Sequence, residues 1–167
     1  MKGKKQTRAK PARRPPSSAA CELCSRVGGY LLWSDTQCRV VLVKDPDYAG
    51  YCRVIWNAHV REMTDLGSAA RAHCMRVVWA VERALRSVMN PHKVNLASFG
   101  NMTPHVHWHV IPRFADDAHF PNPVWGERRR AHAPLLSRSL SLSLTPAGPA
   151  ASSRMRRLLA AELLNLL

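Results

Sequence analysis

Three histidines recur at alternate positions in the segment His105-Val-His107-Trp-His109-Val-Ile111. Successive side chains of an extended strand point to opposite faces, so a strand would place the three imidazoles together and the apolar residues between them against a core. On a helix the same imidazoles would spread through about 400°, because each residue turns about 100°. The alternation, with glycine before it and proline after it, predicts a strand over residues 105–111 with a polar site on one face.

Clustered imidazoles support metal binding, acid–base catalysis or nucleophilic attack. One zinc ion bound by all three histidines is the simplest arrangement, but ligands two residues apart on a strand are separated by about 6.6 Å along it. The first and third imidazoles would not easily meet one ion at about 2.1 Å each. The spacing therefore favours different roles for the three histidines.

Hydrophobic periodicity predicts the elements that position these histidines. Between residues 68 and 89, apolar residues recur every three or four positions, which is typical of an amphipathic helix. Thr64 or Asp65 is expected to cap this helix, and Asn90 with Pro91 to end it. Apolar runs bounded by turn residues predict strands at residues 30–33, 38–43, 51–56, 93–99 and 105–111. The predicted fold is α+β, with one antiparallel sheet of about five strands covered on one face by the long helix.

The net charge of +14 is concentrated at the ends of the chain. Residues 1–20 contain seven basic residues and no acidic ones, whereas residues 21–126 contain 11 basic and 9 acidic residues. We predict a disordered basic tail at 1–20, a folded catalytic domain at 21–126, a low-complexity linker at 127–153 and a C-terminal helix at 154–167. The leucines of this last helix would dock either on the domain or on a second subunit.

This charge distribution limits the expected partners. A polybasic tail attracts phosphates through a salt-sensitive field, so nucleic-acid binding is expected only weakly and only through the tails. No apolar stretch approaches 18 residues, so we predict no membrane span and a cytoplasmic protein. An arginine-rich, acid-poor start also resembles an organelle transit peptide.

The five cysteines divide into two groups, and four of the other histidines have no partner pattern. Cys38, Cys52 and Cys74 lie in apolar patterns and are predicted to be core residues. Cys21 and Cys24 form a Cys-x-x-Cys pair, a spacing shared by zinc sites, redox pairs and ordinary core cysteines. The histidines without a partner pattern, which we predict to lie at the surface, are His73, His92, His119 and His132.

The segment from His105 to Ile111 resembles the His-φ-His-φ-His-φ-φ signature of the histidine-triad superfamily of nucleotide hydrolases and transferases, in which φ is apolar. Other parts of the chain follow in the family's order. They are the paired cysteines, Val41-Leu-Val-Lys-Asp45, Gly50, the strand running to His59, the helix, Val94-Asn95 and Gly100-Asn101. The resemblance covers residues 21–125 and implies the α+β fold predicted above.

The resemblance also implies roles for individual residues. His107 matches the nucleophile that attacks the α-phosphorus and forms a nucleotidyl-histidine, which water then hydrolyses. Its other ring nitrogen is expected to bond a fixed acceptor such as a backbone carbonyl. His109 matches the residue that stabilises charge on a phosphate oxygen, and His105 is the first triad histidine. The nucleotide-binding residues implied are Asp45 at the ribose hydroxyls and Asn95, Asn101 and Thr103 near the phosphates.

Cofactors and partners follow from the same resemblance. It implies a structural zinc bound by Cys21, Cys24, His59 and His105, no organic cofactor, and Mg²⁺ only as a companion of polyphosphate substrates. It also implies a purine nucleotide conjugate as substrate, either a dinucleoside polyphosphate or a nucleoside phosphoramidate, and a homodimer. A nucleotide-binding sensor with negligible turnover is the alternative. Trp125 either borders the nucleotide or anchors its loop.

Overall fold

The computed structural model describes residues 20–131, 153–154, 157–158 and 160–162. Five strands form one antiparallel sheet in the order β1-β2-β3-β5-β4. The predicted fold class is confirmed, with five strands and one long helix. In chain order the elements are α1 (Glu22–Ser25), β1 (Tyr30–Ser34), β2 (Cys38–Leu42), β3 (Cys52–Trp56), α2 (Ser68–Met89), β4 (Lys93–Ala97) and β5 (His107–Arg113).

The hydrophobic core lies between the sheet and α2. Val40, Val54 and Val110 occupy the inner positions of the three central strands and are fully buried against the apolar stripe of the helix. The cysteines predicted to be core residues, Cys38, Cys52 and Cys74, each have 0% of their surface exposed. The opposite face is also largely buried, with Val41, Ile55 and Ile111 at 0% exposed, so the polar side chains on it lie in enclosed surroundings.

Helix α2 has the predicted bounds, but its predicted cap is wrong. Met63–Asp65 forms a 3₁₀ turn, and the extended N-cap position is taken by Gly67 without a side-chain cap. Asp65 belongs to that turn and is therefore placed before the first helical residue. At the other end, Asn90 adopts left-handed backbone (φ 46°) and its N–H donates to the carbonyl of Arg86, so the helix ends where predicted.

Strand β5 begins at His107, two residues later than predicted. The backbone of Val106 bonds instead to the chain leaving β3, accepting from the Trp56 N–H at 3.1 Å and donating to the Val60 carbonyl at 2.7 Å. Within the ladder, β3 pairs Arg53 with His109 and Val54 with Trp108. Directly paired residues share a face, so the alternation holds: the histidines of β5 lie on the face away from α2, while half-buried Trp108 packs on the core.

The predicted tail at 1–20 lies outside the described residues except for Ala20, as does most of the predicted linker. The described residues between 153 and 162 are helical. There Leu158 packs against the core, and Glu162 pairs with Arg83 of α2 at 2.5 Å. This part of the C-terminal helix therefore docks on its own domain. No described helix combines the length and the apolar character that a membrane crossing requires.

Gly50 shapes the turn that leads into β3. Its φ is +78°, and a Cβ there would lie 2.3 Å from the Met89 sulfur. We expect Gly50→Ala to lower the free energy of unfolding by about 2–4 kcal/mol, the sum of a left-handed conformation and overpacking. Gly100→Ala is the matched control: the nearest atom is 3.7 Å away, so we expect a change below about 0.5 kcal/mol. Urea denaturation compares the two variants, and equal losses would contradict this account.

Candidate active site

A cavity of about 450 Å³ opens on the face of the sheet opposite α2, a volume ordinary for small-molecule sites. Two of the three histidines line it, both from β5. Four other parts of the chain complete the wall. The lining residues are His107 and His109 of β5, Arg53 of β3, Phe99, Asn101, Met102 and Thr103 of the β4–β5 connection, Glu22 and Leu23 of α1, and Trp125 of the loop after β5.

His107 is held in one orientation by its own strand. Its Nδ1 lies 2.6 Å from the carbonyl oxygen of His105, so Nδ1–H donates and Nε2 carries the lone pair. This carbonyl is the fixed acceptor that the sequence predicted without naming. Burial, aided by the charge of Arg53, lowers the pKa of His107, so the imidazole is neutral near pH 7. A neutral imidazole with a free Nε2 is a competent nucleophile.

His109 receives a different set of contacts. Its Nδ1 is hydrogen-bonded to the Tyr51 hydroxyl, which also accepts from Nε of Arg53 at 3.4 Å. Burial raises the pKa of Tyr51, so this hydroxyl keeps its proton and donates it to Nδ1. Burial and the neighbouring His107 lower the pKa of His109 to about 3. His109 is therefore neutral with its proton on Nε2, where it can donate to an anionic oxygen.

The third histidine belongs to another cluster. His105 Nδ1 lies 3.5 Å from the sulfur of Cys21 and 3.5 Å from that of Cys24, and His59 Nδ1 lies 3.2 Å from Cys24 Sγ. All four donor atoms lie within 4.8 Å of one another. Tetrahedral zinc with N and S ligands at 2.0–2.3 Å needs donors roughly 3.3–3.8 Å apart. The three sulfur–nitrogen distances above lie near this range, and two sulfurs with two ring nitrogens are the donor set that such an ion prefers.

The hydrogen bonding of His105 also suits a metal ligand. His105 Nε2–H donates to the Trp56 carbonyl at 2.6 Å, which leaves Nδ1 as the ligand atom. Burial, together with the adjacent Cys21, raises the pKa of the Cys24 thiol. A bound cation reverses that effect and deprotonates coordinating thiols.

The four predicted nucleotide ligands lie at three places in the fold. Asn101 and Thr103 lie in the cavity wall, as stated above. Asp45 lies in the turn after β2, where Oδ1 accepts from the N–H groups of Asp47 and Tyr48 at 2.9 and 3.1 Å. Asn95 Oδ1 accepts from Arg113 at 2.6 Å. The structure thus brings two of these four residues to the cavity together with the histidines.

Trp125 closes one side of the cavity. Its ring lies 4.6 Å from that of Phe99 and 5.1 Å from that of His109, measured between centroids, and both contacts are edge-on. The loop carrying Trp125 is anchored by a buried pair, in which both oxygens of Asp117 accept from Arg113 at 2.6 and 3.0 Å. Trp125 therefore borders the cavity, and the buried Arg113–Asp117 pair, rather than Trp125 itself, anchors the loop.

His73 is buried, with 8% exposed, so its predicted surface position is wrong. It lies on the inner face of α2, where its Nε2 contacts Asp35 Oδ2 at 2.7 Å and Cys38 Sγ at 3.8 Å. These contacts join the β1–β2 turn to helix α2. The grouping of Asp35, Cys38 and His73 is therefore explained by hydrogen bonds within the fold. His92 is exposed as predicted, half-buried His119 bonds Tyr48, and His132 lies outside the described residues.

Sequence reasoning missed Arg53 and the α1 contribution of Glu22 and Leu23. Arg53 carried a signal, because a charge stands between buried Cys52 and Val54 in an otherwise apolar strand. Such a residue must face a polar site or a partner. Glu22 and Leu23 carried none, since their approach to β5 depends on how the cysteine turn folds back.

Comparison with known proteins agrees with this geometry. A family model described as the HIT domain matches residues 29–116, just over half of the chain. An AP-4-A phosphorylase from Mycobacterium tuberculosis is 28% identical over 89 residues, covering 50% of this chain and 46% of that protein. The chain therefore spans about half the length of the curated relatives it matches.

Solved structures share the fold. A histidine triad protein from Bradyrhizobium japonicum superimposes with a TM-score of 0.63 at 25% identity, covering 80% of this chain and 92% of that one. A zinc-bound histidine triad family protein from Mycobacterium smegmatis gives 0.52 at 23% identity, covering 80% and 99%. Because the family model matches all five strands and α2, this chain belongs to the HIT domain family.

Proposed function

We propose that the protein is a nucleotide hydrolase that cleaves at the α-phosphate of purine nucleotide conjugates through a nucleotidyl-histidine. The observation that carries this proposal is the orientation of His107, whose Nδ1 is bonded to the His105 carbonyl so that Nε2 is free at the cavity. His109 supplies a neutral N–H beside it, with ring centroids 4.8 Å apart. A nucleophile next to a fixed donor is the arrangement that phosphoryl transfer requires.

The reaction proceeds in two displacements. His107 Nε2 forms a bond to the α-phosphorus while the bond from phosphorus to the leaving oxygen or nitrogen breaks, and the leaving group takes that electron pair. A nitrogen leaving group also takes a proton from solvent and departs as ammonia. His109 donates through Nε2–H to the phosphate as charge develops. Water then attacks the same phosphorus, the P–N bond breaks and its electron pair returns to His107, while water's proton is released.

The cavity provides room and contacts for the nucleotide. Phe99 and Trp125 present aromatic surface on which a purine can pack, and Asn101 and Thr103 offer hydrogen bonds near the reacting phosphate. We retain Asp45 as the proposed ribose ligand and Asn95 as a proposed polar contact. Since Oδ1 of Asp45 already caps a turn, Oδ2 is the oxygen available to the ribose.

We further propose that Cys21, Cys24, His59 and His105 bind one structural zinc. Four protein ligands close the coordination sphere, so the ion would tie α1 to the start of the triad strand and would take no part in the reaction. Mg²⁺ would accompany polyphosphate substrates only. A homodimer and a cytoplasmic location remain proposals.

Phosphorolysis is a second candidate, because the curated relatives are named AP-4-A phosphorylases. In that reaction inorganic phosphate replaces water in the second displacement and the product is ADP. The first displacement at His107 is identical in the two reactions, so the cavity geometry serves both.

Product analysis tests the proposal. Purified protein is incubated with diadenosine tetraphosphate and, separately, with adenosine 5′-phosphoramidate, each with and without inorganic phosphate, and the nucleotides are separated by chromatography. We expect AMP from both substrates without added phosphate. ADP formed only with phosphate would identify a phosphorylase. Binding of AMP without release of either product would favour the sensor.

A further inference from the structure

Arg53 places a positive charge in the cavity wall beside the triad. It is half-buried on β3, directly opposite His109 across the β3–β5 ladder, and it lines the cavity with both histidines of β5. Its Nε donates to the Tyr51 hydroxyl at 3.4 Å, and its guanidinium carbon lies 5.7 Å from the centre of that ring. The side chain is therefore held in place from its inner end.

The outer end of Arg53 is not neutralised by the protein. Its two terminal nitrogens donate to no protein acceptor among the described residues, and Arg53 forms no ion pair with an acidic side chain in that part of the chain. By contrast, Arg113, which is buried outside the cavity wall, is paired with Asp117. A fixed guanidinium with free donors is a site for a phosphate or carboxylate oxygen.

The order of groups across the sheet indicates which phosphate. His107 and His109 are neighbours on β5, and their nitrogens flank the α-phosphorus in the proposed reaction. Arg53 lies on the next strand beside His109, while Glu22, the other charged residue of the wall, lies in α1. A chain of phosphates extending from the α-phosphorus is attracted toward Arg53 and repelled from Glu22.

We propose that Arg53 binds the phosphate next to the one attacked and so selects substrates with an anionic, phosphate-bearing leaving group. This proposal rests on the proposed function and names its substrate class as dinucleoside polyphosphates. A guanidinium stabilises the negative charge that accumulates on a departing nucleoside polyphosphate. It offers nothing comparable to the ammonia that leaves a phosphoramidate.

The test compares kcat/KM for diadenosine tetraphosphate and adenosine 5′-phosphoramidate in the wild type, Arg53→Met and Arg53→Lys. A charge-assisted hydrogen bond is worth about 30-fold, so we expect Arg53→Met to lower the ratio of the two kcat/KM values by about that factor, with partial recovery in Arg53→Lys. His92→Ala is the control, because this exposed residue does not line the cavity, and it is expected to leave the ratio of the two kcat/KM values unchanged.

An unchanged substrate ratio in Arg53→Met would overturn the proposal, because it would place the guanidinium on the α-phosphate or on no phosphate. Calorimetric binding of α,β-methylene-ADP and of AMP gives an answer even if no substrate is turned over. We expect Arg53→Met to raise the Kd of α,β-methylene-ADP at least about tenfold more than that of AMP. If this difference in Kd appears in a protein that releases no AMP, the hydrolase proposal fails and the phosphate subsite stands. If Arg53→Met changes the two Kd values equally, the subsite proposal is overturned.

Discussion

His107→Ala is expected to abolish nucleotide release, with kcat falling by at least about 10⁴-fold, because a covalent route without its nucleophile loses nearly all its rate advantage. The cavity supplies no equivalent replacement. His109 uses Nδ1 to accept from Tyr51, so its Nε2 carries a proton and not a lone pair. Single-turnover measurement with diadenosine tetraphosphate checks the loss.

The covalent intermediate gives this prediction a second readout. Rapid acid-free quenching of the wild type followed by mass spectrometry should reveal a chain heavier by one nucleotidyl group, and the peptide containing residue 107 should carry it. His92→Ala, at an exposed position away from the cavity, is the control and should keep both activity and adduct. Full activity in His107→Ala, or an adduct on another residue, would refute the assignment.

Cys24→Ala is expected to empty the metal cluster. The wild type purified from zinc-containing medium should hold about one zinc per chain, as a closed four-ligand site does, and the variant should hold almost none. Cys24 Sγ contacts both His59 and His105, so its loss removes the donor shared by the two imidazoles. Metal content is measured by plasma mass spectrometry, with His92→Ala again as the control.

Loss of the zinc should also lower stability. The cluster links α1 to the segment before β5. When the free zinc concentration is 1,000 times the dissociation constant, binding adds about 4 kcal/mol to the free energy of unfolding. We expect Cys24→Ala to lose roughly this amount, while adding chelator to the variant should change nothing further. A wild type that binds no zinc, or a variant that binds as much as the wild type, would show that the cysteines serve another purpose.

Local sequence patterns determined most of the fold. The three- and four-residue periodicity gave α2 with its bounds, since one stripe of that helix had to be buried. Alternation on β5 determined which face carries His107 and His109, because strand geometry admits only two faces. The start of β5 could not be predicted from the local sequence. Val106 bonds to Val60 and Trp56, and the path of the chain after β3 determines those partners.

Tertiary structure alone decided how the site is completed. The histidine motif and its resemblance to a family indicated a nucleophile, but the donor chain from Arg53 through Tyr51 to His109 needs two strands in register. Trp125 reaches the cavity because the buried Asp117 anchors its loop. Such contacts join residues far apart in sequence, and their geometry depends on register and packing that no short motif specifies. The sequence by itself therefore determined which reactive groups are present, and the tertiary structure determined which other residues line the cavity around them.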